Sequence, residues 1–404
     1  MNDARGAHGG GGAGEPTPSA LILSGGGARA AYQVGSLRAI AHIVGRHKRS
    51  PFPVICGTSA GAINAAMLAV HADDFRRGVA RLLRLWRKLR ISDVYLSDMP
   101  SLSRLGLRWL AAVATGRKAP ANAMSMLDNS PLRKLIEREI DFSRIAQRTR
   151  NGDLTALTIN ATSYRNGQSV TFIQGAGHEQ RWVRVRRHAE LTVIGVDHLM
   201  ASIAIPFIFP AARIGDDYFM DGSVRQIAPL APALHLGARR LFVLAVGQFF
   251  GGMTQPTATL PVYPSFAQTA SHALSSVFLD NLAADLERLV AVNRLIDCMS
   301  RDTALKAGAD VGHVDALLMT PSIDIGARAL DFAPLLPAGV RTLLRGLGAM
   351  QESGSTLMSY LLFDRHFCRL LIRQGFADAM ARRDDIHAFL AGGHVGNIVL
   401  PVHT

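Results

Sequence analysis

The sequence predicts an α/β fold built on a mostly parallel sheet, and three observations predict it. The apolar run Ala20-Leu21-Ile22-Leu23-Ser24 ends in Gly25-Gly26-Gly27 and is followed by helix-forming sequence over 29–45. A second apolar run at 52–56 (FPVIC) ends in Gly57-Thr58-Ser59-Ala60-Gly61, with an apolar helix over 60–70 behind it. Strand, tight loop and helix, repeated in that order, is the connectivity of parallel strands with helical crossovers. Third, strand-like runs recur at 154–160, 168–174 and 241–246.

The remaining elements follow in chain order. Residues 1–18 are glycine-rich and read as a disordered tail. The segment 211–220 (AARIGDDYFM) reads as a hairpin turning at Gly215-Asp216-Asp217. Residues 247–264, rich in Gly, Pro and Thr, form a surface loop or soft boundary. Beyond about residue 265 the apolar spacing becomes helical, as in Leu282, Leu286, Leu289 and Asn293. The expected organisation is a tail (1–18), an α/β catalytic domain (19–250) and a mainly helical C-terminal region (251–404).

Composition narrows the function classes. Of 404 residues 48% are hydrophobic, which is enough for a sizeable core. Lys and Arg number 44 against 31 acids, a net charge of +13 that favours an anionic partner. A nucleic-acid role rests on that charge alone, since aromatics are 6% and no recognition motif is present, so no nucleic acid is expected. Three widely spaced cysteines, Cys56, Cys298 and Cys368, argue against a disulfide scaffold and fit a reducing, cytoplasmic setting. No His/Cys cluster signals a zinc site. No apolar run approaches the roughly 20 residues of a membrane span, and no signal peptide is visible, so membrane contact is expected to be peripheral.

Two motifs carry chemistry. Gly57-Thr58-Ser59-Ala60-Gly61 matches G-x-S-x-G, in which a sharp strand-to-helix turn exposes the serine hydroxyl and flanking glycines relieve crowding. The helix behind Ser59 adds free N–H groups and a positive dipole end. Its bland reading is a small-residue turn packing helix on strand. The loop Ser24-Gly25-Gly26-Gly27-Ala28-Arg29-Ala30 can turn backbone N–H groups toward one point, which suits an oxyanion or a phosphate. A dinucleotide site would need an acidic residue ending the second strand. That strand instead ends at Cys56-Gly57 and enters the serine turn. A nucleophile candidate and a cluster of backbone donors at one end of a sheet describe acyl transfer.

A serine nucleophile needs a base. Asp221, at the end of the predicted hairpin strand and followed by Gly222, is one candidate; His198, in a predicted helix, is the other. Side-chain chemistry alone places Asp221 only slightly ahead, because histidine is the commoner base.

Four blocks in order, SGGGARAAYQVG (24–35), GTSAG (57–61), ASIAIPFIFP (201–210) and DGS (221–223), make the chain resemble the patatin-like phospholipases. The resemblance implies a three-layer α/β/α fold, a Ser59–Asp221 dyad without histidine and hydrolysis of acyl esters in lipids. It implies oxyanion donors at Gly25, Gly26 and Gly27, and a loop basic residue at Arg29 that holds a phosphate or the loop itself. It implies Gly57 and Gly61 as the elbow glycines and no metal or organic cofactor. Two positions depart from the usual pattern: Ala30 stands where glycine is common, and Ser223 follows the Asp-Gly pair. Other esters, such as triacylglycerol or a storage polyester, would use the same dyad; a non-catalytic membrane or protein-binding module on this fold is the third reading.

Residues 76–90 carry seven basic residues and no acid, with Val79, Leu82, Leu83, Trp86 and Leu89 on one helical face. Such a helix suits an anionic lipid surface, and equally a surface helix with its apolar face on the core. The stretches 101–114 and 335–350 are apolar with sparse basic residues and could rim a lipid-entry cleft or lie in the core.

Overall fold

The computed structural model describes residues 18–45, 49–96, 125–175, 181–247, 265–298, 312–351 and 354–393. Residues 1–17 of the glycine-rich tail, the stretch 101–114 and nearly all of 247–264 lie outside the described residues.

The strands are β1 (Ser19–Leu23), β2 (Val54–Thr58), β3 (Ala156–Ser163), β4 (Ser169–Gly175), β5 (Val183–Arg184), β6 (Arg187–Leu191), β7 (Ala212–Ile214), β8 (Asp217–Asp221), β9 (Arg240–Leu244) and β10 (Asp315–Met319). Among the described residues they form one sheet in the order β10-β9-β1-β2-β3-β4-β6-β5, with β8 pairing β3 and β7 pairing β8. From β10 to β3 all neighbours are parallel; β4 and β8 run antiparallel to β3. The fold is therefore the expected α/β class with a mostly parallel centre.

Alternation along the strands shows why helices cover both faces. Leu21, Leu23, Ile55, Phe242 and Leu244 join one buried cluster, while Ala20, Ile22, Val54, Leu241 and Val243 join a second on the opposite face. The larger layer holds α1 (Ala31–Ile43), α2 (Ala60–Ala69) and α3 (Phe75–Lys88). Later helices used below are α4 (Ser130–Glu139), α5 (Val196–Ser202), α6 (Ser355–Leu361) and α7 (Arg365–Ala381).

The C-terminal half is more than helical. β10 completes one edge of the sheet beside β9, a strand absent from the sequence expectation. Its run DALLM is apolar and only five residues long, a length at which helix and strand cannot be told apart by period. On the larger face α7 crosses α1 at very close range. A Cβ at Gly35 would lie 2.1 Å from the Ile372 carbonyl oxygen, and one at Gly375 would lie 2.1 Å from that of Tyr32.

Two element boundaries differ for local reasons. β2 begins at Val54 rather than Phe52, because Pro53 has no N–H to give the ladder. The predicted helix over 29–45 starts as a 3-10 turn at Gly27–Ala30 before α1.

The basic helix α3 is capped by Asp74, whose carboxylate accepts from Arg77 N at 3.0 Å. Phe75, Val79, Leu82 and Trp86 are buried, while Arg76, Arg77, Arg81, Arg84, Arg87 and Lys88 face solvent. Its apolar face is thus spent on the protein interior and is not available to lipid. In the 335–350 stretch Val340 and Leu344 are likewise buried. Among the described residues no helix is long and apolar enough to cross a membrane.

Candidate active site

Parallel pairing of β2 with β3 and antiparallel pairing of β3 with β8 bring two distant residues together. Thr58 sits opposite Asn160, and the next residue of β3, Ala161, sits opposite Asp221. At Ala161 the other edge of β3 is held by β4, so β8 takes the edge that β2 leaves after Thr58, and Ser59 and Asp221 lie along that same edge.

Ser59 occupies a strained turn, with φ 54° and ψ −130°, the conformation that throws its side chain out of the strand. The turn is crowded enough to require small neighbours. A Cβ on Gly57 would come within 2.6 Å of the Ala65 Cβ, and one on Gly61 within 2.4 Å of the Leu23 carbonyl oxygen. The Ser59 N–H donates to Ser202 Oγ at 2.9 Å, and Ser202 Oγ donates to the Asn160 carbonyl at 2.6 Å. Ser202, on α5, therefore pins the turn to β3; only its place inside the ASIAIPFIFP block hinted at this role.

Asp221 is fully buried. Its Oδ1 accepts from the Ser223 N–H at 2.9 Å, and its own N–H donates to the Ala204 carbonyl at 2.9 Å. Gly222 is required beside it, because a Cβ there would stand 2.2 Å from the Asn160 carbonyl oxygen. Burial pushes the Asp221 carboxyl up to about 6, opposed by the Ser59 hydroxyl and by the amide and hydroxyl of Ser223. The Ser59 hydroxyl is thus close enough to be felt, yet Asp221 Oδ2 completes no hydrogen bond of good geometry among the described residues. The two side chains are thus adjacent without a hydrogen bond of good geometry between them.

The triple-glycine loop lies beside this pair. Gly26 has φ 158° and Gly27 φ 54°. No backbone hydrogen bond among the described residues takes up the Gly25 or Gly26 N–H outside the 3-10 turn. A Cβ on Gly26 would lie 2.1 Å from Val246 Cγ2, and one on Gly27 would lie 2.2 Å from the Tyr360 carbonyl oxygen. Gly27→Ala combines that backbone collision with a left-handed φ. It is expected to cost about 2–4 kcal/mol, read as a lowered midpoint in thermal denaturation. Ala30, where glycine is common, has φ −63° and ψ −11°, ordinary right-handed backbone that alanine tolerates.

Arg29 does not reach toward Ser59. It is buried, its Nε donates to Ser359 Oγ at 2.7 Å, and its guanidinium sits 4.4 Å over the Tyr360 ring. Of the two roles open to it, the contacts favour holding the loop, here against α6. Tyr360 itself escaped the sequence reading, since it lies well beyond the last motif block. Burial raises its phenol pKa; Arg29 opposes that rise and the Asp221 carboxylate adds to it.

A chain of buried amides fixes the loop from behind. Trp86 Nε1 donates to Asn64 Oδ1 (2.8 Å), Asn64 Nδ2 donates to Gln33 Oε1 (2.9 Å), and Gln33 Nε2 donates to the Ser24 carbonyl (2.9 Å). A small pocket opens in front, bordered by Ser59, Ile63, Trp86, Ile136, Phe209 and Tyr360. Its walls are mostly apolar side chains from α2, α3, α4 and α6, with Glu139 of α4 among them, so it suits a hydrocarbon chain.

His198 has other partners. Its Nδ1 accepts from the Gly195 N–H at 3.0 Å, its ring packs edge-on to Phe172, and burial lowers its pKa. It makes no hydrogen bond to Ser59 or Asp221. Asp216 sits at the β7–β8 turn, as expected of a turn residue, and Asp217 opens β8 opposite Ile214. Among the described residues no group of three or more His, Cys, Asp or Glu side chains is placed to hold a metal ion.

A patatin-like phospholipase family model matches residues 21–234. The chain belongs to the patatin-like phospholipase family. The matched part of this patatin-like chain runs from β1 past β8 and so contains Ser59 and Asp221. The chain is 28% identical over 223 residues to the cGAMP-activated phospholipase of Pseudomonas aeruginosa (strain BWHPSA011 / Pa011), a match covering 55% of this chain and 57% of that protein. It therefore spans little more than half the length of that curated relative. Among solved structures, VipD from Legionella pneumophila is matched over 91% of this chain and 67% of that one, at 12% identity and a TM-score of 0.32. Full-length ExoU in complex with SpcU, from the type III secretion system of Pseudomonas aeruginosa, is matched over 92% and 79%, at 15% identity and a TM-score of 0.25. Those two scores are too low to bear on the function of this patatin-like chain.

Proposed function

We propose that this chain is a serine acyl hydrolase of lipid esters, with phospholipids as the substrate class. The observation that carries the proposal is the convergence of Ser59 and Asp221, through the β2–β3–β8 register, with Ser59 bordering an apolar pocket.

The chemistry follows from these groups. The Asp221 carboxylate takes the proton of Ser59 Oγ as that oxygen attacks the ester carbonyl carbon. Negative charge passes to the carbonyl oxygen, where N–H groups of Gly25, Gly26 and Gly27 stabilise it. The intermediate collapses, the C–O bond to the alcohol breaks, and the leaving alcohol takes the proton from Asp221. Water then attacks the acyl-Ser59 ester, giving its proton to Asp221. Breaking the Ser59 ester returns that proton to Ser59 Oγ and releases the fatty acid. A carboxyl already raised to about 6 is well matched to this shuttle near neutral pH. Arg29, tied to Ser359 and Tyr360, keeps the glycine loop seated against α6. The free cysteines fit a reducing compartment, which makes the cytoplasmic membrane leaflet the natural source of substrate.

The cavity gives a test of substrate class. Ile136→Trp fills part of it from α4 without touching either member of the pair. Hydrolysis of long-chain acyl esters is expected to fall about tenfold or more while short-chain esters are retained, the usual scale for a pocket losing a few methylenes. An equal effect on all chain lengths would remove the cavity from the substrate path.

A further inference from the structure

We propose that the rim above Ser59 and Asp221 is the surface that docks on an anionic phospholipid bilayer; the proposal rests on the lipid-hydrolase reading. The rim consists of the turn after β3, the β5–β6 hairpin and the β7–β8 hairpin.

The sheet register puts all three at the same end. β4 and β6 run opposite to β2 and β3, so their first residues lie where β3 ends: Ser169 pairs with Thr162, and Arg187 pairs with Ser169. The β5–β6 turn at Val185-Arg186 therefore projects from the edge that carries Ser59. The turn after β3 is tied to the β7–β8 hairpin by the Tyr164 N–H, which donates to the Tyr218 carbonyl at 2.8 Å. Tyr164 is four residues past Asn160, roughly 13 Å further out at the usual rise per strand residue. This rim thus projects beyond the level of the Ser59–Asp221 pair.

The chemistry of the rim is unusual for a solvated edge. Val183 and Val185 are 77% and 84% exposed, and Tyr164 and Tyr218 are 50% and 43% exposed. Phe207 is 74% exposed in a left-handed backbone conformation, between Ile205 and Phe209, which border the cavity. Exposed apolar surface therefore runs up to the cavity itself. Cations alternate with it. Arg165, Arg184, Arg186 and Arg225 are exposed and form no ion pair among the described residues. Arg213 is the neutralised exception, paired with Asp216 at 3.5 Å.

Apolar tips flanked by guanidinium groups that no carboxylate neutralises fit a phospholipid interface, although Arg165 and Arg184 each donate to a backbone carbonyl, of Asp216 and Val183. Valine and phenylalanine enter the acyl boundary, tyrosine sits at head-group depth, and arginine meets phosphate. A nucleic acid would use the cations and leave the valines in water. The basic helix α3 is the rival docking surface, but its apolar side chains face the interior and only its charges remain.

Flotation of the full chain carrying Ser59→Ala, with phosphatidylcholine vesicles lacking or containing phosphatidylglycerol, tests the proposal. The protein is expected to float with the anionic vesicles only. Adding Val183→Asp with Val185→Asp is expected to weaken that binding at least tenfold. With Ser59 intact, the same pair of changes should lower vesicle hydrolysis in parallel, while turnover of a water-soluble short-chain ester stays within about twofold. If the aspartates impair folding, Arg184→Gln with Arg186→Gln decides, with weakened anionic binding expected. Undiminished binding in the hairpin variants would overturn the proposal. So would equal binding to neutral vesicles, or loss confined to charge reversal of Arg81 and Arg84 on α3. Failure of the parent chain to hydrolyse any soluble ester would strike the hydrolase reading separately, because flotation does not depend on turnover.

Discussion

Ser59→Ala is expected to reduce ester hydrolysis by on the order of 10⁴-fold or more, to the level left by binding and oxyanion contacts alone. The fold should survive. The residue's structural bond is made by its backbone N–H to Ser202, which alanine retains. Alanine at φ 54° carries the strain that serine already bears. Initial rates on phospholipid and on a soluble ester, beside a thermal melt, separate the two effects. Near-normal turnover in a folded variant would remove Ser59 from the chemistry.

Asp221→Asn is expected to lower activity by on the order of 10³-fold or more and, at the same time, to stabilise the protein. The reason is the direction in which burial moves the carboxyl. Its pKa rises from 3.8 to about 6, so the native state holds a proton that the unfolded state has released across that interval. Stability contributed by this group is therefore lost as pH rises from about 4 through about 6. At neutral pH the buried anion costs about 3 kcal/mol, since each tenfold change in the ionisation equilibrium corresponds to about 1.4 kcal/mol. A neutral amide escapes that cost and keeps an oxygen for the Ser223 N–H. The melting temperature at pH 7.5 should rise, and its fall between pH 4 and 6 should flatten in the variant. The same group sets the rate: kcat/KM of the parent should drop tenfold for each pH unit below about 6, since only the carboxylate accepts the serine proton. His198→Ala, by contrast, should leave most of the activity and the acid limb in place.

The glycine loop, the serine turn and the Asp-Gly element were legible in the sequence because each carries a short pattern of small residues. Gly57 answers a collision with the helix behind its own turn, Gly61 one with the end of β1, and Gly222 one with β3. The hairpin at 212–221 announced itself through Gly215-Asp216. What could not be read was set by contacts distant in sequence. Tyr360 closes on Gly27 across more than 300 residues, and Ser202 reaches Ser59 across 143. The strand at 315–319 gains its identity only from β9 beside it. For the basic helix α3 the sequence offered two burial options with the same periodicity, and packing of Trp86 against Asn64 selected the inward one. Arg29 shows the same limit: its position in the loop was visible, but its partner Ser359 was not.

Active-site labelling reaches the core of the account most directly. A fluorophosphonate ester, incubated with the full chain over a range of pH and followed by peptide mapping, should deposit one adduct, on the GTSAG peptide. Its rate should collapse on acidification past about pH 6 and almost vanish in Asp221→Asn. An adduct on a different residue, or a labelling rate indifferent to the loss of that carboxylate, would contradict the pairing of this alcohol with this acid.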